Sequence, residues 1–254
     1  MNESEKKKWL FVPGPNPGAR LRLICFHFAG GAASIYRLWP NGLPPQVEVI
    51  ALQLPGREAR LSEPLIGDLK EALTPVAEVL RSFTDAPYVF YGHSMGGLLG
   101  FELIRRFLKE GVPAPRHFFV SGRRAPHLPC RFPDLHDLSE DDLLKAVRDY
   151  GGTPEAVLRE PDMMQILLPI IRADFRILET YSYEEGPPLP VPISVYGAPN
   201  DIRANREELQ GWEKHTTDFR GLKEFPGEHF FIQTHRDEVL EVLRRDLESI
   251  MSAL

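Results

Sequence analysis

The chain has 254 residues, 43% hydrophobic and 26% charged, a balance that excludes wholesale disorder and collagen-like repeats and suits one large domain. Thirty basic residues against 36 acidic ones leave a formal charge of −6 with no long Lys/Arg stripe, which argues against nucleic-acid binding as the main activity. Cys25 and Cys130 are too few for a disulfide framework or a zinc site, so the expectation is a chain without metal in a reducing, cytoplasmic setting.

In chain order, Met1 to Lys8 is charged, and no apolar stretch or small-residue cleavage site follows it, so no secretion signal is expected. Pro13 to Gly18 is turn chemistry, which places the first ordered strand near Leu21. Leu21–Phe26, Val47–Ala51, Tyr88–Tyr91, His117–Val120, Ile193–Tyr196 and Leu222–Phe225 are short apolar runs. Their lack of clean alternation suits strands buried on both faces, as in a parallel sheet. Between them lie helical patterns. Asp68 with Glu71 marks one helix start, and Pro75 falls inside that helix. Met95–Lys109 reads as a helix apolar on most sides, and His235–Met251 as a closing helix. The most apolar stretch, Tyr88 to Ile104, is interrupted by His93, Ser94 and Glu102, which makes it a poor membrane span. The expectation is a soluble α/β domain over residues 1–254, with a mostly parallel central sheet flanked by helices.

One segment breaks the alternation. Residues 125–187 carry no convincing strand; Ser139 with Asp142 starts a helix that Gly151-Gly152 stops, and Thr153-Pro154 opens another, with Pro154 at the first helical position. Met164, Leu167, Leu168, Ile171, Phe175 and Leu178 then form a helical stripe with Pro169 inside it. This reads as a helical insertion over the sheet's ligand-binding edge. It holds six basic and thirteen acidic residues, a net −7, against +1 for the remainder of the chain.

Gly92-His93-Ser94-Met95-Gly96 fits G-x-S-x-G, a pattern with a chance probability of about 0.1 in a chain of this length. Its context is more telling, because a strand precedes it and a helix follows directly. That arrangement is a nucleophile elbow, in which the two glycines relieve crowding between strand and helix and Ser94 is presented at the sheet's carboxyl edge. A serine hydroxyl needs a base and an orienting acid. Asp201 and His229 each follow a later strand, in the order Ser, Asp, His, so His229 is the candidate base and Asp201 its orienting acid. The other histidines fit less well: His93 adjoins Ser94 and is expected to point elsewhere, His215 and His235 fall in helices, His117 opens a strand, and His127 and His136 belong to the insertion. After the first strand, Phe28-Ala29-Gly30-Gly31 can turn backbone N–H groups toward a bound carbonyl, which makes the Ala29 and Met95 N–H groups the candidate oxyanion hole.

With these residues in place, the sequence resembles the type II thioesterases, stand-alone α/β-hydrolases of polyketide, non-ribosomal peptide and fatty acid synthases. The resemblance runs from about Leu21 to Ile232, through Phe28-Ala29-Gly30-Gly31, Leu54-Pro55-Gly56-Arg57, Gly92 to Gly97, Ser121 to Pro126, Gly151 to Pro154, Arg172 to Arg176 and Pro226 to Phe231. It implies an α/β-hydrolase fold with a lid over an acyl chamber. It also implies hydrolysis, with neither cofactor nor metal, of acyl groups from the phosphopantetheine arm of an acyl or peptidyl carrier protein, clearing stalled or mis-primed chains. The chain departs from the family at His27, where proline is common, at Ala198-Pro199-Asn200, where acidic or glycine residues are usual, and at Glu228, where glycine is common.

The expected protein is thus a monomeric serine hydrolase with Ser94, His229 and Asp201 as its triad. A carboxylesterase or acyltransferase with the same machinery is the near alternative, and a catalytically silent binding module of the same fold is the distant one. Because the insertion is acidic, like the usual carrier domain, a carrier is expected to approach the body of the fold near Arg123, Arg124, Arg57 and Arg60; the alternative is that these arginines are solvated or pair with nearby carboxylates.

Overall fold

The apolar runs assemble into one seven-stranded sheet of order β1-β3-β2-β4-β5-β6-β7 in a computed structural model that describes residues 3–254. Met1 and Asn2, which begin the charged N-terminal segment, lie outside the described residues. The strands are β1 (Leu10–Phe11), β2 (Leu21–Phe26), β3 (Val47–Leu52), β4 (Tyr88–His93), β5 (Phe118–Ser121), β6 (Ile193–Gly197) and β7 (Phe219–Glu224). All neighbouring pairs are parallel except β1 with β3. The helices are α1 (Glu3–Lys8), α2 (Leu69–Leu80), α3 (Met95–Lys109), α4 (Glu140–Tyr150), α5 (Glu155–Leu158), α6 (Pro161–Glu179), α7 (Arg206–Gln210), α8 (Phe231–Thr234) and α9 (Arg236–Ser252).

Successive strand residues feed opposite faces of the sheet. Ile24, Phe26, Phe90 and Val120 join the core under α2 and α3, while Leu23, Cys25, Tyr91 and Phe119 join a second core with Leu243 and Leu247 of α9. Both faces are therefore dry, which is why these strands read as continuous apolar runs. A third cluster, built from Leu143, Val147, Leu158, Met164, Leu168, Ile171 and Phe175, belongs to the helices between β5 and β6. Ala29, at the carboxyl edge of β2, packs against both this cluster and the first core.

The structure departs from the sequence expectations at several boundaries. A strand precedes Leu21: β1, whose two residues pair antiparallel with Leu52 and Ala51, is too short to show a period. The last strand begins at Phe219, because Gly221 at φ +90° interrupts the apolar pattern of an edge strand that is only partly buried. Pro154 is the residue before α5 and not its first. Caps were more legible: the Asp68 side chain accepts from the Glu71 N–H at 3.0 Å, and Gly151 ends α4 in the left-handed region at φ +80°. Among the described residues, no helix is long and apolar enough to cross a membrane.

Candidate active site

β4 ends at His93 and α3 begins at Met95, so Ser94 alone turns the chain. It does so at φ +52° and ψ −111°, a conformation L residues rarely adopt and one that costs on the order of 1–3 kcal/mol. Two glycines make the turn feasible. A Cβ on Gly92 would lie 2.2 Å from the Gly96 carbonyl oxygen, and one on Gly96 would lie 2.1 Å from that of Phe26. The Ser94 N–H is held by the Ser121 carbonyl at 2.8 Å.

The parallel sheet brings the ends of β4, β6 and β7 to one edge, and the loops after them bring three side chains together. His229 Nε2 lies 3.0 Å from Ser94 Oγ, and His229 Nδ1 lies 2.8 Å from Asp201 Oδ2. An ionised carboxylate can only accept, so Nδ1 carries the proton and the Nε2 lone pair faces the serine hydroxyl. Asp201 is itself fixed, because its Oδ1 accepts the Arg203 N–H at 2.8 Å and the Ala204 N–H at 3.3 Å. All three side chains are buried, with 7% (Ser94), 3% (Asp201) and 5% (His229) exposure, which excludes most of the water that would screen them.

The Met95 N–H opens α3, where the first amide groups have no intrahelical partner. Among the described residues, neither it nor the Ala29 N–H has a protein acceptor. The loop carrying Ala29 is tied down on both sides. Gly31 N–H donates to the Phe28 carbonyl at 2.9 Å, and Gly30, at φ +76°, donates to Asp174 Oδ2 on α6 at 2.8 Å. His27, where the family commonly has proline, donates from Nδ1 to the Phe28 carbonyl at 2.9 Å, and burial lowers its pKa to about 4, so it acts as a neutral brace.

His93 does not point away from the site as expected. Its ring lies 5.2 Å from that of His229, with Nδ1 2.8 Å from Ser121 Oγ; burial and then the neighbouring His229 hold it well below the usual histidine pKa. Gly122, at φ +57°, leaves room for that ring, since a Cβ there would lie 2.7 Å from His93 Cε1.

Two pockets meet at Ser94 and His229, and Tyr150 and Phe175 line both. One has a mixed lining, with Arg123, Arg124, Arg203 and Glu179 beside Phe132 and Leu135; the other is mainly apolar, lined by Phe28, Val147, Ile171 and Phe230. Sequence reasoning missed Tyr150, whose ring lies 5.7 Å from that of His229, and Arg203, whose guanidinium lies 4.0 Å over the Tyr150 ring. The only signal for either was position, Tyr150 just before Gly151-Gly152 and Arg203 two residues after Asp201.

The arginines expected to meet a carrier are not a free surface. Arg57 is buried against Asp174, and Arg60 is buried over the Trp9 ring and paired with Glu63. Arg124 is buried as well, and Arg123 is half-buried in the wall of the pocket beside Ser94. A loop position reports nothing about a partner more than a hundred residues away.

A family model described as "Thioesterase domain" matches residues 21–247. The chain is 37% identical over 249 residues to the gramicidin S biosynthesis protein GrsT of Aneurinibacillus migulanus, covering 98% of this chain and 97% of that protein. Among solved structures it is similar to RedJ, a thioesterase from the prodiginine biosynthetic pathway in Streptomyces coelicolor, with a TM-score of 0.84 and 38% identity over 89% of this chain and 90% of that one. It is also similar to the type II thioesterase BorB from the borrelidin biosynthetic cluster, with a TM-score of 0.84 and 36% identity over 93% and 96% of the two chains.

Proposed function

The chain belongs to the thioesterase family, and from that premise we propose that it is a stand-alone type II thioesterase that clears acyl groups from the phosphopantetheine arms of carrier proteins in polyketide or non-ribosomal peptide synthesis. The observation that carries the reading is the hydrogen-bonded chain from Ser94 through His229 to Asp201, at 3.0 and 2.8 Å, open to two cavities.

Ser94 Oγ attacks the acyl carbon while His229 Nε2 takes its proton, and Asp201 stabilises the imidazolium and holds its orientation. The tetrahedral oxyanion accepts from the Ala29 and Met95 N–H groups, donors each worth about 10²–10³ in rate in comparable sites. Collapse expels the sulfur, which takes the proton from His229. Water then attacks the acyl-serine with His229 again as base, releasing the free acid and restoring Ser94. Residues 125–187 serve as a lid, since α4 and α6 supply Tyr150 and Phe175 to both cavities.

A fluorophosphonate should label Ser94 and no other residue, and the labelled protein should lose turnover of an acyl-pantetheine thioester. Hydrolysis of that thioester well above a matched oxygen ester separates a thioesterase from a carboxylesterase. Faster transfer to an added alcohol or amine than to water would make it an acyltransferase. No labelling at Ser94 would mark a binding module.

A further inference from the structure

His93 stands immediately before the nucleophile, and the triad makes no use of it. In the parallel ladder of β4 and β5 it lies opposite Ser121, so the two side chains share a face of the sheet. The ring is fully buried and packs edge-to-face with Phe28 and Phe231, with centroids at 5.8 and 5.4 Å. Its Nδ1 lies 2.8 Å from Ser121 Oγ, whereas Nε2 is buried with no hydrogen-bond partner among the described residues. A buried polar atom left unanswered is costly, and native structures hold few of them. The base lies beside it, with ring centroids 5.2 Å apart. Burial is the main cause that holds the His93 ring neutral, and the His229 ring adds to it. The His229 backbone acts in the opposite sense, as a carbonyl does toward an N–H. Among the described residues His229 makes no backbone hydrogen bond of its own, so its carbonyl is free to accept one.

When the Ser121 hydroxyl donates to Nδ1, the ring proton sits on Nε2, on the side of that carbonyl. We propose that His93 is a positioning residue for the base: its Nε2–H closes on the His229 carbonyl in the reacting complex, and Ser121 fixes the tautomer that makes this possible. The role rests on the reading of Ser94 and His229 as nucleophile and base. Catalytic hydrogen bonds are often long in the free enzyme and tighten as the substrate reacts, which is why Nε2 stands unanswered without substrate. The contact has a mechanical purpose. Among the described residues, hydrogen bonds hold His229 only through its ring, by Asp201 at one nitrogen and Ser94 at the other. Gly227, two residues before it, turns the chain at φ +97°. A strut rooted in the residue next to Ser94 therefore sets how the base stands toward the nucleophile, and small errors in that placement are expensive in rate. Ser121 contributes twice, since its carbonyl accepts the Ser94 N–H and its hydroxyl orients His93.

The test is steady-state hydrolysis of a short acyl-pantetheine by the full chain. His93→Phe keeps a ring but has no N–H, and it should lower kcat by about 10- to 100-fold with KM within about 2-fold of the wild type. His93→Gln retains a donor and should recover part of that loss. Ser121→Ala should also lower kcat, and adding it to His93→Phe should cost little more, because both act through one contact. Proton NMR gives a readout that packing alone would not move. The low-field resonance of the His229 Nδ1–H on Asp201 should broaden in His93→Phe and stay sharp in His93→Gln. Wild-type kcat in His93→Phe overturns the proposal, as do equal losses in the Phe and Gln variants with an unchanged low-field signal. Additive losses in the double variant overturn the part given to Ser121. If His93→Phe does not fold, Ser121→Ala decides: wild-type kcat together with a wild-type resonance overturns the proposal. Failure of the underlying reading looks different, because the wild type would then neither hydrolyse the thioester nor react with a fluorophosphonate.

Discussion

Arg57 and Asp174, 117 positions apart in the chain, form a buried bidentate pair with N–O distances of 2.6 and 2.8 Å. Each partner also holds the loop that carries Ala29, for Arg57 donates to the Gly31 carbonyl at 3.0 Å and Asp174 accepts the Gly30 N–H at 2.8 Å. The pair is thus a clamp that joins α6 to the backbone donors beside Ser94.

Breaking the clamp should cost both stability and rate. Arg57→Met or Asp174→Leu leaves an uncompensated buried charge, with an expected loss of about 3–5 kcal/mol in urea unfolding. The double variant should recover much of that stability, because two apolar side chains replace the pair. It should not recover kcat on a short acyl-pantetheine, since Gly30 and Gly31 still lack their partners. Full recovery of kcat in the double variant would make the clamp purely structural.

The serine turn separates chemistry from strain. Ser94→Ala and His229→Ala should each remove nearly all turnover, and the double variant should be hardly worse, because the three groups act as a unit. Ser94→Gly should be equally inactive but more stable than Ser94→Ala by about 1 kcal/mol, because glycine adopts φ +52° without a Cβ penalty. Equal thermal unfolding of the Ala and Gly variants would mean that the turn stores no strain.

The elements that were legible in sequence have local causes. Ser94 between two glycines, Asp68 three residues before Glu71, and Gly151 after Tyr150 declare themselves within a few residues, because sterics or one hydrogen bond decides each. Asp201 and His229 were legible through topology, since a parallel sheet sends every strand's carboxyl end to one edge. The Arg57–Asp174 clamp, the packing of His93 beside His229 and the role of Tyr150 depend on how α4 and α6 fold back over that edge. No local pattern encodes those contacts. The same gap bears on the arginines offered as a docking surface, since Arg57 instead takes the alternative of pairing with a carboxylate, Asp174, that only the folded chain brings near.

Asp201→Asn should lower kcat strongly, on the order of 10⁴ as in serine proteases. An amide can still accept from the Arg203 and Ala204 N–H groups, so the loop should hold its shape. Its NH₂, however, would donate to His229 Nδ1, which moves the ring proton to Nε2 and faces a donor toward Ser94 Oγ. Asn200 is exposed, and Asn200→Ala should change kcat little. A greater loss in Asn200→Ala than in Asp201→Asn would reassign the acid.

Acid should destabilise the fold through histidines before its carboxylates protonate. Burial is the leading cause that lowers the pKa of His27, His117 and His215, each to about 4, against about 6.5 for an unperturbed histidine. Below pH 6.5 the unfolded chain takes up protons at these positions, while the folded chain resists until about pH 4. The unfolded state therefore binds more protons throughout that window, so stability falls as pH falls from 6.5 to 4, by up to about 1.4 kcal/mol per pH unit for each group. Carboxylates add their own dependence below about pH 4.5, so the interval from pH 6.5 to 5 isolates the histidines. Urea midpoints should drop across that interval, and His27→Asn, which can still donate to the Phe28 carbonyl, should flatten the drop by about one group's share. A midpoint constant from pH 6.5 to 5 would mean that these rings are protonated in the folded state as readily as in the unfolded one.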